Sequence, residues 1–304
     1  MNASSSYSTP AATKRAINDA ARQARRENPK LSVDALIRQE YFNRFLSRVF
    51  SEGQSSEWLL KGGTAMLARV PASRATLDID LLGRMGDLDA ALAELLRVAR
   101  IDLDDHFRFV FARSQSIAAG DAQEYTDGLR VTFDIYIGAQ RQDKLNVDLV
   151  IGTMPIGPIE VLTPASGLHM LKLRNNPYRL YPISHQLADK ICATMSTYNG
   201  LPSTREKDLV DLVVAATSRE IRIEASHLGQ AVRLESSRRR LATFDHFEVP
   251  NIWGPRYNRM IQSLPISVQR PDFQDALELM QLFVDPVLAG TAAGYWSPND
   301  LCWG

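Results

Sequence analysis

Cysteine is nearly absent from this sequence: Cys192 and Cys302 are the only two, far apart and in no metal-ligand spacing. That excludes a disulfide-stapled scaffold and a zinc finger or ribbon, and it suits a reducing compartment, so a cytoplasmic location is expected. No apolar run is long enough to cross a bilayer, and the opening MNASSSYSTPAATKR has no hydrophobic core of an export signal. No membrane partner is expected on that ground. An excess of one charge is also missing, since 35 basic residues balance 35 acidic ones. Bulk electrostatics therefore does not recruit nucleic acid, and only a local basic surface could do so. No internal repeat is present, which removes solenoids and propellers. What remains is 304 residues at 45% hydrophobic and 23% charged, enough apolar material for one large domain or two.

The stretch WLLKGGTAMLARVPASRATLDIDLL, residues 58–82, carries the most chemistry. A short apolar run turns at Gly62-Gly63 and leads through Thr64 into a helix that Pro71 stops. From Ala75 to Leu81 the pattern alternates as a strand does, with Thr76, Asp78 and Asp80 on one face and Leu77, Ile79 and Leu81 on the other. Same-face neighbours on a strand stand about 6.6 Å apart. Two carboxylates that close repel each other, and a divalent cation is the usual reason to keep both ionised. The glycine amides and the helix N-terminus, with the Thr64 hydroxyl, suit a phosphate. Singly, each feature is as common in an ordinary turn or a solvated strand edge. In this order they are more telling. Lys61-Gly62-Gly63-Thr64, then Arg74-x-Thr76-x-Asp78-x-Asp80, resembles the first motif of the DNA polymerase β-like nucleotidyltransferases and, within them, of the AbiEii-type toxins.

Around this stretch the chain reads as follows. A flexible N-terminus over residues 1–10 precedes a basic helix from Ala11 to Asn28, where Lys14, Arg15, Arg22, Arg25 and Arg26 face only Asp19 and Glu27; this is a solvated face or a nucleic-acid contact. Ser32 caps a second helix that runs to Phe50. A helix over Leu88–Arg100 follows, then strands near Arg108–Ala112, Gly128–Ile137 and Leu145–Ile151. Asp148 interrupts the apolar face pattern of the last strand, and Asp134 has the same local look in VTFDIYI; a carboxylate in such a place needs a partner. The phrase Tyr125-x-x-Gly128-x-Arg130 before NVDLVIG resembles the family's approach to its third carboxylate, which favours Asp148, with Asp134 the alternative. Domain boundaries are expected at residues 1–30, 31–165 and 166–304.

Beyond Tyr181 the helical period dominates. Lys190 lies off the apolar stripe of a helix from His185 to Met195 and by default faces solvent. Ser203 to Glu206 has the pattern of a capping box opening the helix EKDLVDLVVAA, in which Asp208 and Asp211 share a face. Ala188-Asp189-Lys190 and Arg205-x-Lys207-Asp208-x-x-Asp211-Leu212 resemble later motifs of the AbiEii-type toxins, with aspartate replacing the more usual glutamate at 189. Helices over Glu224–Arg240 and Asp272–Leu288 follow, and the tail GYWSPNDLCWG either docks its tryptophans on the body or offers them for stacking.

The resemblance spans roughly residues 40–220 and implies an α/β (α+β) nucleotidyltransferase core with a mixed sheet, a mainly helical C-terminal half, and an active site in the cleft between them. It implies transfer of a nucleoside monophosphate from an NTP to a hydroxyl, with tRNA at its 3′ acceptor end as the leading acceptor and a cognate antitoxin as restraint. The catalytic residues so implied are Asp78, Asp80, Asp148, Lys190, Asp208 and Asp211. Mg²⁺ or Mn²⁺ would sit on Asp78, Asp80 and Asp148, and the nucleotide on Gly62, Gly63, Thr64, Arg74, Thr76, Lys190, Arg205 and Lys207. Lys190 would neutralise the triphosphate. A small-molecule nucleotidyltransferase and a non-catalytic nucleotide-binding module are the competing readings.

Overall fold

Alternating strands need an apolar layer to lie on, and three helices supply it. In the computed structural model α1 (Pro10–Glu27) starts on Thr9, whose hydroxyl accepts from the Ala12 amide, with Pro10 in the first turn. Ser32 caps α2 (Val33–Val49) and Asp87 caps α4 (Leu88–Ala99) in the same way. Ile17 and Ala21, Phe42, Phe45 and Leu46, and Ala91, Leu95 and Val98 are the buried faces of these helices, and they share one core with the strands. The description covers all residues except 1–6, 72, 118–127, 153–154, 156, 165–167, 169–171, 174, 199–200, 243, 267 and 269–270. Most of the flexible N-terminus expected, together with Tyr125, lies outside the described residues.

The strands of the first unit are β1 (Trp58–Lys61), β2 (Ile79–Gly83), β3 (Phe107–Ile117), β4 (Gly128–Ile137), β5 (Gln140–Ile151), β6 (Glu160–Leu162) and β7 (Tyr178–Leu180), with α3 (Gly62–Arg69) between β1 and β2. They form one seven-stranded sheet in the order β3-β4-β5-β2-β1-β7-β6. It is mixed: β2 runs parallel to β5 and β1 parallel to β7, while the other neighbours are antiparallel. Trp58 and Leu60, Ile79 and Leu81, Val131 and Phe133, and Val147 and Leu149 all point into the helix-covered core. Their sequence neighbours therefore point to the opposite face, and that face carries the candidate residues.

β2 begins four residues later than the alternation suggests, at Ile79 rather than Ala75. The pairing with β1 ends at Lys61↔Asp80, because β1 turns into α3 there. Residues 75–78 lie past that end, and hydroxyls tie them down: Thr64 and Thr76 both donate to the Asp78 carbonyl, at 3.0 and 3.2 Å.

The second unit, residues 182–304 with 155–158, is mainly helical. It comprises α5 (Ile183–Met195), α6 (Glu206–Thr217), α7 (Ala225–Arg238), α8 (Gly254–Gln262) and α9 (Phe273–Leu288), with the short hairpins β8 (Thr197–Tyr198)–β9 (Leu201–Pro202) and β10 (Trp296–Ser297)–β11 (Cys302–Trp303). The capping box does not form. Ser203 donates to the Ala193 carbonyl at 2.9 Å instead, and α6 starts at Glu206 with no side-chain cap. The tail tryptophans dock: Trp296 donates to the Ala216 carbonyl, Trp303 to that of Phe283, and Trp303 stacks on the Phe283 ring. No helix among the described residues is long and apolar enough to cross a membrane.

One buried ion pair staples α2 to the turn before β3. Arg48 grips Asp105 with two bonds of 2.7 and 3.0 Å and also donates to the Phe107 carbonyl; the two side chains are 1% and 4% exposed. Removing one partner leaves a charge in an apolar core. Asp105→Ala is expected to lower the unfolding free energy by about 3–5 kcal/mol. Glu57→Ala, which breaks the exposed pair with Arg84, should change it by under ~1 kcal/mol. Urea unfolding followed by circular dichroism checks both.

Candidate active site

The register of the sheet builds a charged row. Lys61 on β1 pairs with Asp80 on β2, Asp80 with Asp148 on β5, and Asp148 with Arg130 on β4. Directly paired residues share a face on strands about 4.7–4.9 Å apart, so two carboxylates stand side by side with a basic residue at the register position on each flank, the Lys61 ammonium lying over the Tyr181 ring at 4.6 Å. Asp134 lies elsewhere: it pairs with Lys144 and is held by Arg141 at 2.6 Å. Asp78 sits just before β2, its carboxylate accepting from the Thr76 hydroxyl at 3.2 Å. The geometry thus assembles Asp78, Asp80 and Asp148, with Thr64 and Thr76 steering Asp78.

Gly62 explains itself in this setting. Its φ is +60°, and a Cβ built there would stand 1.9 Å from Asp80 Oδ2. The Asp80 carboxylate occupies the space that any other side chain would fill. Gly63 lies close to Thr76, 3.1 Å from a built Cβ, with the Arg74 guanidinium at 3.7 Å. The first turn of α3 therefore lies against the Asp80 carboxylate at Gly62 and near the Arg74 guanidinium at Gly63.

Arg130 binds Asp148 two-pronged, Nε to Oδ1 at 2.7 Å and Nη2 to Oδ2 at 2.6 Å, and its Nη2 is 3.8 Å from Asp78 Oδ2. The hydrogen bonds to Asp148 hold its pKa above the ordinary arginine value, against partial burial, with the charges of Asp148, Asp78 and Asp80 adding to the effect. Among the described residues no three His, Cys, Asp or Glu side chains form a ready metal-binding group, and both Asp148 oxygens are engaged by Arg130. The donors nevertheless fit a hard divalent cation: they are carboxylate oxygens, on adjacent strands in register, with no Cβ at Gly62 to crowd them.

The helical unit holds a second cluster. Lys190 is buried rather than solvent-facing, with its ammonium 2.8 Å from Asp208 Oδ1 and 2.7 Å from Asp211 Oδ2. Burial opposes the charge, yet Asp211 and Asp208 outweigh it and hold the lysine above its usual pKa. Arg205 lies 3.6 Å from Asp208, and Lys207 is exposed. The three-residue spacing of the aspartates does put both on one lysine.

A protein-family model described as "Nucleotidyl transferase AbiEii toxin, Type IV TA system" matches residues 44–279. The chain belongs to the AbiEii nucleotidyltransferase toxin family. Its fold resembles that of MenT4, a nucleotidyltransferase toxin from Mycobacterium tuberculosis H37Rv, with a TM-score of 0.52 at 16% identity over 93% of this chain and 99% of that one. JHP933 from Helicobacter pylori aligns with a TM-score of 0.38 at 18% identity, over 68% of this chain and 75% of that one, too low a score to support any inference. No curated protein matches.

In this AbiEii-family sequence the two cations of the row carry little signal of their own. Arg130 appears there only as a motif position and Lys61 only as the residue before the glycines. Counting strand partners back from the β4–β5 turn would not have found Arg130. Ile137 pairs with Gln140, and an irregularity between Asp134 and Tyr136 shifts the register by one. Without it Arg130 would face Val147, on the other side of the sheet.

Two outcomes follow for this site. Gly62→Ala should cost about 1–3 kcal/mol of stability, because Asp80 must move, whereas Gly86→Ala, with open space around it, should stay within about 0.5 kcal/mol; urea unfolding compares them. Lys190→Met should destabilise the protein by about 3–5 kcal/mol by leaving Asp211 buried and uncompensated. Combining it with Asp211→Asn should recover part of that loss in the same measurement, as coupled neighbours do.

Proposed function

We propose that this AbiEii-family protein transfers a nucleoside monophosphate from an NTP to a hydroxyl acceptor, with tRNA as that acceptor and pyrophosphate as the other product. The observation that carries this is the pairing of Asp80 with Asp148 on adjacent strands, with Asp78 hydroxyl-steered beside them and a glycine-opened helix N-terminus over the row. In this proposal Asp78, Asp80 and Asp148 hold Mg²⁺ or Mn²⁺. When bound, the metal neutralises developing phosphate charge and lowers the pKa of an acceptor hydroxyl. Gly62, Gly63 and Arg74 face the phosphates; Thr64 and Thr76 hold Asp78 in place. Lys190, with Arg205, Lys207, Asp208 and Asp211, forms the family's second cluster and contributes to nucleotide handling.

An RNA acceptor is supported by the exposed face of α1, where Arg15, Arg22, Arg25 and Arg26 are all solvent-facing. Such a face binds backbone phosphate despite a net charge of zero. Membership of a toxin–antitoxin family implies an antitoxin partner. The protein acts, in this reading, where tRNA is found, in the cytoplasm.

The test is incubation with total RNA and each α-labelled NTP in turn, with and without Mg²⁺. Label should enter the tRNA band only with the metal, and Asp80→Ala should lower the rate at least ~1000-fold, the scale of losing transition-state charge stabilisation. Full labelling by the Asp80→Ala variant would overturn the assignment. Label on small molecules but not on RNA would overturn the acceptor.

A further inference from the structure

The third carboxylate of the row is in place but already taken. Both Asp148 oxygens are bonded to one guanidinium, at 2.6 and 2.7 Å, and the same guanidinium reaches toward Asp78. Its position is set by the sheet: Arg130 and Asp148 are directly paired on β4 and β5, and the strand residues flanking Arg130, Leu129 and Val131, are fixed by pairing with Leu149 and Val147. The side chain itself is half exposed, so it can swing into solvent without disturbing the strand. A two-pronged arginine–carboxylate pair is among the stronger hydrogen-bonded ion pairs. A divalent cation competes for the very oxygens that Arg130 holds.

We propose that Arg130 is an internal counter-cation of the carboxylate row, one that stands in for the metal and must release Asp148 before a divalent ion can use it. This rests on the reading of the row as a metal site. Arg130 then does two opposed things. With no metal bound, it relieves the repulsion among Asp78, Asp80 and Asp148 and so stabilises the sheet at this point. When metal arrives, the ion has to displace a charge-assisted pair to gain its third carboxylate, so Arg130 weakens metal binding to the protein alone. It is a positioning residue and is not assigned contact with substrate.

The experiment is Mn²⁺ titration of the full-length protein without nucleotide, with free Mn²⁺ read by electron paramagnetic resonance. The proteins compared are the parent, Arg130→Met, Arg130→Lys, Asp148→Asn and the double variant Arg130→Met/Asp148→Asn. Arg130→Met should bind Mn²⁺ at least ~10-fold more tightly, the order expected for removing a competing hydrogen bond to a charged group. It should also melt at lower temperature in the absence of metal. Arg130→Lys keeps the charge but loses the fork, so its affinity should rise by less. It also serves as the folded comparison if the methionine variant is too unstable. In the Asp148→Asn background the arginine substitution should bring no gain, because the oxygens it frees are no longer ligands.

Unchanged or weaker Mn²⁺ binding by both arginine variants would overturn the proposal. So would an equal gain in the Asp148→Asn background, or the absence of Mn²⁺ binding in every protein. Tighter Mn²⁺ binding without nucleotide transfer in the labelling assay would sustain this proposal and sink the transferase reading. Transfer with unchanged Mn²⁺ affinity would do the reverse.

Discussion

Two carboxylates held side by side on neighbouring strands repel each other, and much of the first unit is arranged around keeping them there. Asp80 and Asp148 are register partners, and neither can slide away. A slip of one residue would turn Ile79, Leu81, Val147 and Leu149 out of the core and bring the charged set in. The apolar face thus determines where the carboxylates stand, although it makes no contact with them. Their repulsion is met from one flank by Arg130, while Lys61, the register partner of Asp80, sets its ammonium over the Tyr181 ring; space for the Asp80 carboxylate is left by the missing side chain of Gly62. Hydroxyls from Thr64 and Thr76 hold the Asp78 carbonyl, and Thr76 also donates to its carboxylate.

The second unit uses the same electrostatics in the opposite sense. There one buried cation, Lys190, is held between two carboxylates, with Arg205 3.6 Å from Asp208, whereas in the row it is the carboxylates that lie between cations. In the buried cluster a charge left without its partner is costly; the row, with Arg130 and Asp78 partly exposed, keeps contact with water. The overall balance of 35 basic and 35 acidic residues therefore conceals local arrangements with specific signs. The exposed arginines of α1 are a third such arrangement, set on the outside of the helix whose other face, Ile17 and Ala21, joins the core.

Local patterns were legible where the physics is local. Alternation over Gly128–Ile137 marks a strand that the structure reproduces residue for residue, because one face of that strand is buried and the other is not. Ser32 caps α2 as its place before the apolar stripe suggests, through a bond that spans three residues. Local reading erred where a distant partner competed. Ser203 has the position of a helix cap but donates to Ala193, ten residues back on α5. Alternation from Ala75 suggested strand, but its partner β1 has already become helix at that point. Lys190 looked like a surface lysine because its helix stripe excludes it; the two aspartates that bury it come from α6.

By itself the sequence determined which residue types could make this site: paired aspartates at strand spacing, glycines before a helix, and a lysine and two aspartates in helical phase. It also determined the alternation that makes a two-faced sheet, since burial of every second side chain depends only on the strand's own period. Only the tertiary structure decided which carboxylate meets which. Asp148 rather than Asp134 stands beside Asp80 because Asp148 lies on β5, which pairs with β2 from Val147 to Ile151, whereas Asp134 lies on β4, one strand further from β2. Arg130 faces Asp148 rather than the core residue Val147 because one irregularity shifts the β4–β5 register by a residue. Register is a property of two strands together, set by cross-strand packing and by where a bulge falls, and neither strand's sequence alone contains it.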